Sequence, residues 1–137
     1  MATATIRSTN AKRTVAAQYD FAKLGGAVGD YALGVRIPAG AIIVNAFAHV
    51  QTAATSVDST ATIALKVETA NNIFTAAAVS GAPWSTTGMK LGIPDLATVA
   101  DYKTVSAEAE LTMSIAVQDL TAGKINFFVE YVVNAVA

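Results

Sequence analysis

The sequence predicts an all-β protein, an antiparallel β-sandwich of the jelly-roll type with about eight strands. Apolar and polar residues alternate with a period of two over several stretches, as half-buried strands require. Turn segments with glycine or proline separate these stretches at the spacing expected of a sandwich. No stretch carries the apolar periodicity of an amphipathic helix of ordinary length. The 137 residues suit one domain around a single core.

Residues 1–13 are expected to form a flexible N-terminal arm before a single sandwich domain, residues 14–137. The arm consists mostly of Thr, Ser, Asn and Ala, and Ile6 is its lone branched aliphatic residue. Because it lacks apolar periodicity, it is not expected to join the core and becomes ordered only if a partner binds it. Its basic residues are candidates for contacts with an acidic partner: Arg7, Lys12 and Arg13.

Three strands are expected in the first part of the domain. The alternation begins at Thr14, and a second stretch covers residues 31–37. Pro38 then interrupts the ladder, because proline has no backbone N–H to donate. The third stretch begins at Ala41 and has apolar residues on both faces, which predicts a strand that is covered on both sides.

The middle of the chain predicts further short strands. Residues 52–60 have the composition of a turn region, and residues 61–68 return to clean alternation. A strand is also expected at residues 73–79, where the alanines suit one helical turn as well. Residues 80–100 are predicted to be a long surface loop around one short strand at residues 89–93. Loops of this kind often carry function on a rigid scaffold.

The segment from Glu108 to Val133 predicts two strands joined by a turn. Alternate residues of the first strand share one face: Leu111, Met113, Ile115 and Val117. The second strand repeats the pattern: Ile125, Phe127, Val129, Tyr131 and Val133. Between them, residues 121–123 provide a short loop with a glycine where positive φ is needed. The two strands are therefore expected to pair as an antiparallel hairpin.

The composition favours self-association. Charged residues make up 14% of the chain, below the share of about 25% that is typical of soluble domains. With a net charge of −1, little repulsion keeps subunits apart, so a homo-oligomer is expected. The same near-neutral balance lacks the basic stripe of a protein that binds nucleic acid.

Several further classes of protein do not fit the sequence. Without cysteine, the chain has no disulfide, thiolate nucleophile or thiolate metal site. No apolar run approaches the roughly 18 residues that span a bilayer as a helix, so no membrane role is expected. The opening residues lack the apolar stretch of a secretory signal, which indicates synthesis in a cytoplasm.

No catalytic, cofactor-binding or metal site is predicted. His49 is the only histidine, so a triad or a metal cluster lacks its usual partners. Glu108 and Glu110 share one strand face and could act as a carboxylate pair, but two solvated charges are the simpler interpretation. Trp84 lies in the long loop, where its ring either caps the sandwich core or anchors a partner. No dinucleotide fingerprint, phosphate loop or Gly-x-Ser-x-Gly elbow is present.

Two phrases of the sequence resemble small virion structural proteins of tailed bacteriophages. IPAGAIIVNAFAHVQTA begins at Ile37, and LTAGKINFFVEYVV begins at Leu120. In those proteins an Ile-Pro-Ala-Gly turn leads into a strand, and a Leu-Thr-Ala-Gly-Lys hairpin leads into a final Val-Glu-Tyr strand. The polar opening MATATIRSTNAKR is similar as well, and the resemblance covers most of residues 7–133.

The resemblance implies a head decoration, or cement, protein: a non-enzymatic β-sandwich, often a trimer, on the outer surface of an assembled phage head. The implied partners are the major capsid protein, whose neighbouring subunits it bridges, and further copies of itself in a homotrimer. No catalytic residue and no cofactor carry over. The candidate contacts with the capsid or with other subunits are Arg7, Lys12, Arg13 and Trp84. A phage tail or fibre module and a carbohydrate-binding sandwich stay open as alternatives.

Overall fold

A computed structural model describes residues 12–67, 73–91 and 103–133. Within these residues the chain forms nine strands and one short helix, in the order β1 (Arg13–Asp20), α1 (Phe21–Leu24), β2 (Gly29–Ile37), β3 (Ala41–Ser56), β4 (Thr62–Lys66), β5 (Phe74–Ala78), β6 (Gly88–Leu91), β7 (Lys103–Thr104), β8 (Ala109–Ala116) and β9 (Leu120–Val133). The predicted all-β class is confirmed. No helix in the described ranges has the length and apolar character needed to cross a bilayer.

The strands form two antiparallel sheets. The first sheet has the order β1-β9-β3-β6, with β7 also paired to β3, and the second sheet has the order β2-β8-β4-β5. The pairs are nested along the chain, since β1 pairs with β9, β2 with β8, β3 with β6 and β4 with β5. Such nesting is the pattern of a jelly roll, in which one long ladder folds over on itself into a sandwich.

The core lies between the inward faces of the two sheets. Alternate residues of the strands supply it, as a period of two requires. The first sheet contributes Tyr19, Ile43, Val50, Ile125 and Phe127, and the second contributes Ile63, Leu65, Leu111, Met113 and Ile115. The strand predicted at residues 73–79 is found as β5, in place of the alternative helical turn. The strand predicted at residues 89–93 is found as β6, and residues 92–102 lie outside the described ranges.

β1 begins one residue before the predicted start of the domain. Arg13, which the sequence assigned to the arm, pairs with Tyr131 as the first residue of β1. The strand ends at Asp20, whose side chain accepts a hydrogen bond from the Ala22 N–H (3.0 Å) and caps α1. Phe21 therefore starts a helix instead of continuing the strand.

The predicted hairpin between β8 and β9 is wrong. The chain turns earlier, at residues 117–119, and passes from the second sheet to the first, so residues 121–123 belong to β9 and Ala122 pairs with Thr55 of β3. β1 and β3 occupy both edges of β9, and β2 and β4 occupy both edges of β8. The apolar faces of the two strands therefore meet across the core instead of side by side. Periodicity determines which face of a strand is buried, but it does not select the neighbouring strand.

Val117 is a second correction at the same turn. It was predicted to face the core with the other apolar residues of β8, but its side chain is 72% exposed. β8 ends at Ala116, and Val117 has a φ of 74°, which redirects the chain toward the first sheet. This left-handed conformation is unfavourable for a β-branched residue, because its Cβ crowds the following carbonyl oxygen.

Candidate interaction surfaces

Of the basic residues predicted as contacts, Lys12 and Arg13 lie at one edge of the first sheet. Arg7 lies outside the described residues. Lys12 and Arg13 are exposed where β1 begins, and Lys12 Nζ lies 3.6 Å from Glu130 Oε2 on the outer face of the sheet. Glu130 also accepts a hydrogen bond from Asn45 Nδ2 (2.8 Å). The ion pair therefore brings the residue before β1 onto the outer face of the first sheet.

Trp84 packs in the core of the protein. Its side chain has no exposed surface, and its Nε1–H donates a hydrogen bond to the Ile63 carbonyl (3.2 Å). Its ring lies 5.2 Å from that of Phe74 and 6.0 Å from that of Phe127, measured between centroids. Its own carbonyl accepts a hydrogen bond from the Ala54 N–H (3.1 Å). The structure thus favours core packing over partner contact, because this ring offers a partner no surface.

The residues considered for chemistry form no reactive cluster in the described ranges. No group of three or more His, Asp or Glu side chains there could hold a metal ion. His49 lies on the outer face of the first sheet, in register with Asn126. Arg36 lies 3.2 Å from Glu108 and 3.7 Å from Glu110, and Glu110 also accepts a hydrogen bond from the Gly34 N–H (3.1 Å). The two carboxylates and Arg36 therefore form a largely exposed ion-pair network between β2 and the start of β8.

A second polar network crosses the outer face of the second sheet. Asp30 accepts hydrogen bonds from Ser114 Oγ (2.7 Å) and from Lys66 Nζ (3.0 Å). The pKa of Asp30 is lowered mainly by the hydrogen bond from Ser114 and next by the hydrogen bond from Lys66. The Asp30 side chain is 58% exposed, so this network contributes little to stability.

Three exposed valines occupy connections at one end of the sandwich, which we call the valine end. Val28 precedes β2, Val57 follows β3 and Val117 follows β8, with exposed fractions of 52%, 78% and 72%. Leu24 of α1, 44% exposed, lies at the same end. Apolar side chains this exposed contribute little to the core, since burial is what makes them favourable. Clustered exposed apolar residues are typical of binding surfaces.

Hydrogen bonds hold the connections of the valine end together. The Gln118 amide accepts from the Asp58 N–H (2.9 Å) and donates to the Asp58 carboxylate (3.1 Å). Asp119 Oδ1 accepts from the Val28 N–H (2.9 Å). Two side chains from the turn after β8 thus link three separate connections into one surface. A surface fixed in advance loses less entropy when it binds.

Two further contacts fix the connection between α1 and β2. The Tyr19 hydroxyl donates a hydrogen bond to the Gly25 carbonyl (2.5 Å), and burial raises the pKa of Tyr19, so the hydroxyl stays a donor. The Leu120 N–H donates to the Gly26 carbonyl (2.7 Å). A Cβ at position 26 would overlap the Leu120 carbonyl oxygen, so this close approach requires glycine.

One apolar row crosses the outer face of the first sheet. Ala16 of β1, Phe128 of β9, Phe47 of β3 and Leu91 of β6 are successive partners in register. The Phe47 and Phe128 rings stack, with centroids 5.0 Å apart and planes 16° apart. Leu91 is 86% exposed. The flanking rows are mostly polar: Gln18, Asn126 and His49 on one side, and Thr14, Glu130 and Asn45 on the other.

An open groove of about 430 Å³ lies at the side of the sandwich, between β5 and β6. Its walls are mainly apolar: Ile73, Phe74, Ala77, Ala82, Pro83 and Leu91. Within the described ranges β5 pairs only with β4, and β6 only with β3, so each strand has one edge without a partner strand. The groove lies on the side of the sandwich opposite β1.

No model of a known protein family matches the chain, and no curated protein matches it in sequence. Three solved phage structures, however, contain chains of the same fold. A chain in the acidic stable capsid structure of Helicobacter pylori bacteriophage KHP30 has a TM-score of 0.64 and 17% identity, covering 92% of this chain and 90% of that chain. A chain in the capsid asymmetric unit of cyanophage Pam1 has a TM-score of 0.64 and 18% identity, covering 97% and 92%.

The capsid of Ralstonia phage GP4 contains the third chain. Its TM-score is 0.68 at 15% identity, and the match covers 98% of this chain and 92% of that chain. At these identities the likeness is one of fold. The shared fold extends over nearly the full length of both chains in all three comparisons.

Proposed function

We propose that the chain is a non-enzymatic structural protein of a phage virion. In this proposal it decorates the outer surface of the head, binds the major capsid protein and bridges neighbouring capsid subunits as a homotrimer made in the host cytoplasm. The observation that carries the proposal is the jelly roll shared, over nine-tenths or more of both chains, with chains of three phage capsid structures. The phrases that begin at Ile37 and Leu120 point the same way from the sequence alone.

The distribution of surface features supports binding over chemistry. In the described ranges Asp30, Glu108 and Glu110 are engaged in ion pairs and hydrogen bonds with neighbouring strands, and His49 has no acidic or second imidazole partner in register. The exposed apolar side chains, in contrast, are concentrated at the valine end and along β6. A protein that holds other proteins together needs such surfaces and no reactive group.

The valine end is the surface that we assign to contact with the capsid. Val117 adopts a left-handed conformation that costs about 1–2 kcal/mol for a residue other than glycine, and its side chain gains no burial in return. Glycine or asparagine would be more favourable for folding at that turn. An exposed valine in this conformation is accounted for if its side chain is buried by a partner.

Decoration stabilises a shell by mass action. A protein that binds the assembled shell, and not its separated subunits, stabilises the shell by about 2.7 kcal/mol per site at a hundredfold excess over the dissociation constant. A homotrimer that engages three sites together strengthens each contact further through effective concentration. Weak contacts at each valine end are therefore sufficient.

The test is addition of the purified chain to shells that lack it. Co-sedimentation measures binding, and the temperature at which the shells release their contents measures stabilisation. We expect binding and a higher release temperature. A chain that neither binds nor stabilises these shells would contradict the decoration role. Electron microscopy of labelled virions would show a tail or fibre location instead, if that is where the protein acts.

A matched pair of variants tests the valine end. Val57→Asp places a charge at its most exposed side chain, and we expect it to abolish shell binding while the fold is kept. Met89→Asp makes the same kind of change at a 60% exposed side chain of β6 and should bind as the wild type does. If both variants bind shells equally well, the valine end is not the contact surface.

Removal of residues 1–11 tests the arm with its predicted contact Arg7. Lys12 and Arg13 stay in this truncated chain, because β1 begins at Arg13. We expect a folded protein with weakened shell affinity, since the segment is mostly polar and lacks the apolar periodicity of a core strand. Loss of folding would show that the segment belongs to the core.

A carbohydrate-binding sandwich is the second candidate, and the apolar row favours it. The stacked rings of Phe47 and Phe128 lie among polar side chains that could bind hydroxyl groups: Asn45, His49 and Asn126. Aromatic rings flanked by amides are a common platform for sugars. Glycan-array binding that Phe128→Ala abolishes would support this role, and its absence would leave the structural role.

A further inference from the structure

Within the described residues, the edge of β5 that faces away from β4 has no partner strand. Natural edge strands commonly carry charged side chains or proline, which discourage pairing with another chain. Among the other edge strands, β2 carries Asp30 and Arg36, and β6 carries Lys90. β5 has the sequence FTAAA, with no charge and no proline, and runs beside the apolar groove; its register against β4 shifts by one residue between Phe74 and Ala77. An extended segment can add to such an edge through main-chain hydrogen bonds and place alternate side chains in the groove.

Residues 1–11 have the composition of such a segment. Thr3, Thr5, Ile6 and Thr9 are β-branched, which favours extended structure. Threonine and alanine alternate up to Ile6, the one large branched side chain available to fill the groove. The absence of proline and of acidic residues in this segment leaves every backbone group able to pair.

The same chain cannot deliver Ile6 to its own groove. β1 and β6 are separated by three strand spacings, roughly 14 Å, and the second sheet lies roughly 10 Å below the first. Arg13 is also level with Ile43, four residues of β3 away from Phe47, the partner of Leu91, which adds roughly 13 Å along the strands. Ile6 lies seven residue steps from Arg13, and these extend about 23–25 Å at most. This is shorter than the path across the outer face and around the edge.

We propose that the segment around Ile6 of one copy binds as an added strand to the free edge of β5 in a second copy, with the Ile6 side chain in the groove. The donor segment leaves from the β1 edge, and the acceptor groove lies at the opposite edge of the sandwich. Two different surfaces therefore meet in each contact, which makes the contact heterologous. Heterologous contacts close into rings when the rotation between copies permits, and a ring of three is the homotrimer.

This inference rests on the proposed homotrimer, but not on binding to a shell. It gives residues 1–11 a role between copies and leaves the valine end for the capsid. The competing occupants of the groove are the same chain's residues 92–102, which follow Leu91 directly, and a segment of the capsid protein. In both cases purified copies would not be joined through Ile6.

Cross-linking between two single-cysteine variants is the test. The chain has no cysteine, so Ile6→Cys and Thr75→Cys each introduce a unique thiol, the second in the exposed lining of the groove. One variant carries a size tag, and the mixture is treated with a short bismaleimide. We expect covalent dimers of unlike chains in the mixture. Ala32→Cys, on the exposed side of β2 at the other edge of its sheet, replaces Thr75→Cys as the control and should give only background.

The double variant Ile6→Cys with Thr75→Cys distinguishes exchange from self-docking. Exchange predicts covalent species that end at the trimer, because each copy gives one segment and accepts one. A cross-linked monomer, or no cross-link above the Ala32→Cys background, overturns the proposal.

Light scattering of the full chain provides an independent readout. Leu91→Asp should convert the oligomer to monomer because it charges the groove, while Met89→Asp, on the same strand but outside the groove lining, should keep the wild-type mass. A wild-type chain that is monomeric, or a Leu91→Asp chain that stays oligomeric, contradicts the exchange. Shell binding is measured on the same samples, so a monomer that still decorates shells would remove this inference and the proposed homotrimer while keeping the proposed decoration of the head.

Discussion

Replacing Val117 with asparagine should stabilise the protein and weaken its binding to shells. Val117 combines a φ of 74° with a side chain that is 72% exposed. The left-handed conformation costs about 1–2 kcal/mol for an ordinary residue, and asparagine tolerates it because its short side chain bonds to nearby backbone. Because the Val117 side chain is mostly exposed, replacing it removes little buried apolar surface. We expect the free energy of unfolding to rise by about 1 kcal/mol, which raises the melting temperature by roughly 3–5 °C for a domain of this size.

Val57 supplies the matched control. It belongs to the same valine end and is 78% exposed, but it is not among the described residues with positive φ. Val57→Asn should therefore change the free energy of unfolding by less than about 0.5 kcal/mol. Urea denaturation measures stability for both variants, and co-sedimentation with shells measures binding.

The stability measurement and the binding measurement test two separate claims, the strain at Val117 and its role in shell binding. If Val117→Asn is no more stable than Val57→Asn, the turn stores no strain and the reasoning from φ is refuted. If Val117→Asn is more stable and binds shells as the wild type does, the strain is real but the valine has no role in binding.

Three further predictions concern the framework behind the surfaces. Trp84→Ala should lower the free energy of unfolding by about 3–5 kcal/mol in urea denaturation, since it empties a fully buried site; a change below 1 kcal/mol would contradict the burial. Gly26→Ala should destabilise by more than about 1 kcal/mol, because its Cβ overlaps the Leu120 carbonyl, and thermal unfolding that matches the wild type would exclude that contact. Asp30 has a lowered pKa in the fold, so its carboxylate adds stability above the unfolded-state pKa of about 3.9, and this is lost as the pH falls through the folded pKa. The advantage over Asp30→Asn should thus be at most about 1 kcal/mol at pH 7 and decline below about pH 4 in acid titrations followed by circular dichroism.

The strands themselves were predictable because a half-buried strand leaves a local pattern. Alternation placed β1, β3, β4 and β9 within a few residues of their observed positions. The pairing of β8 with β9 was not predictable from the same pattern. A glycine near a turn and two alternating strands suit a hairpin and an inter-sheet connection equally, and long-range pairing with β2, β4, β1 and β3 decides between them.

The interaction surfaces left weaker signals in the sequence. Val28 and Val57 stand in turn segments, where a large apolar residue is unexpected, and that mismatch could have marked the valine end. Val117 continued the alternation of β8 and gave no sign of its positive φ. Trp84 stands in an irregular loop, yet it is buried, because the loop folds inward against Phe74 and Phe127. Whether a loop residue is exposed depends on tertiary contacts that local sequence does not carry.

The start of β1, where the arm joins, lies at the end of the molecule opposite the valine end, and in the proposed homotrimer this separation links assembly to decoration. β1 runs from Arg13, where the arm joins, to Asp20 beside the valine end, a distance of roughly 25 Å for its eight residues. In a cyclic ring, symmetry places equivalent surfaces in one plane, so three valine ends can meet a shell together while the exchanged arms stay clear of it.

Leu91→Asp should therefore weaken shell binding about a hundredfold or more although Leu91 is not part of the valine end, because a monomer loses the effective concentration that a ring provides. Co-sedimentation across a range of protein concentrations measures this loss. Fusing Leu91→Asp to an unrelated trimerisation domain should restore most of the affinity, since only the number of linked valine ends matters. A monomer that binds as tightly as the wild type would separate assembly from decoration.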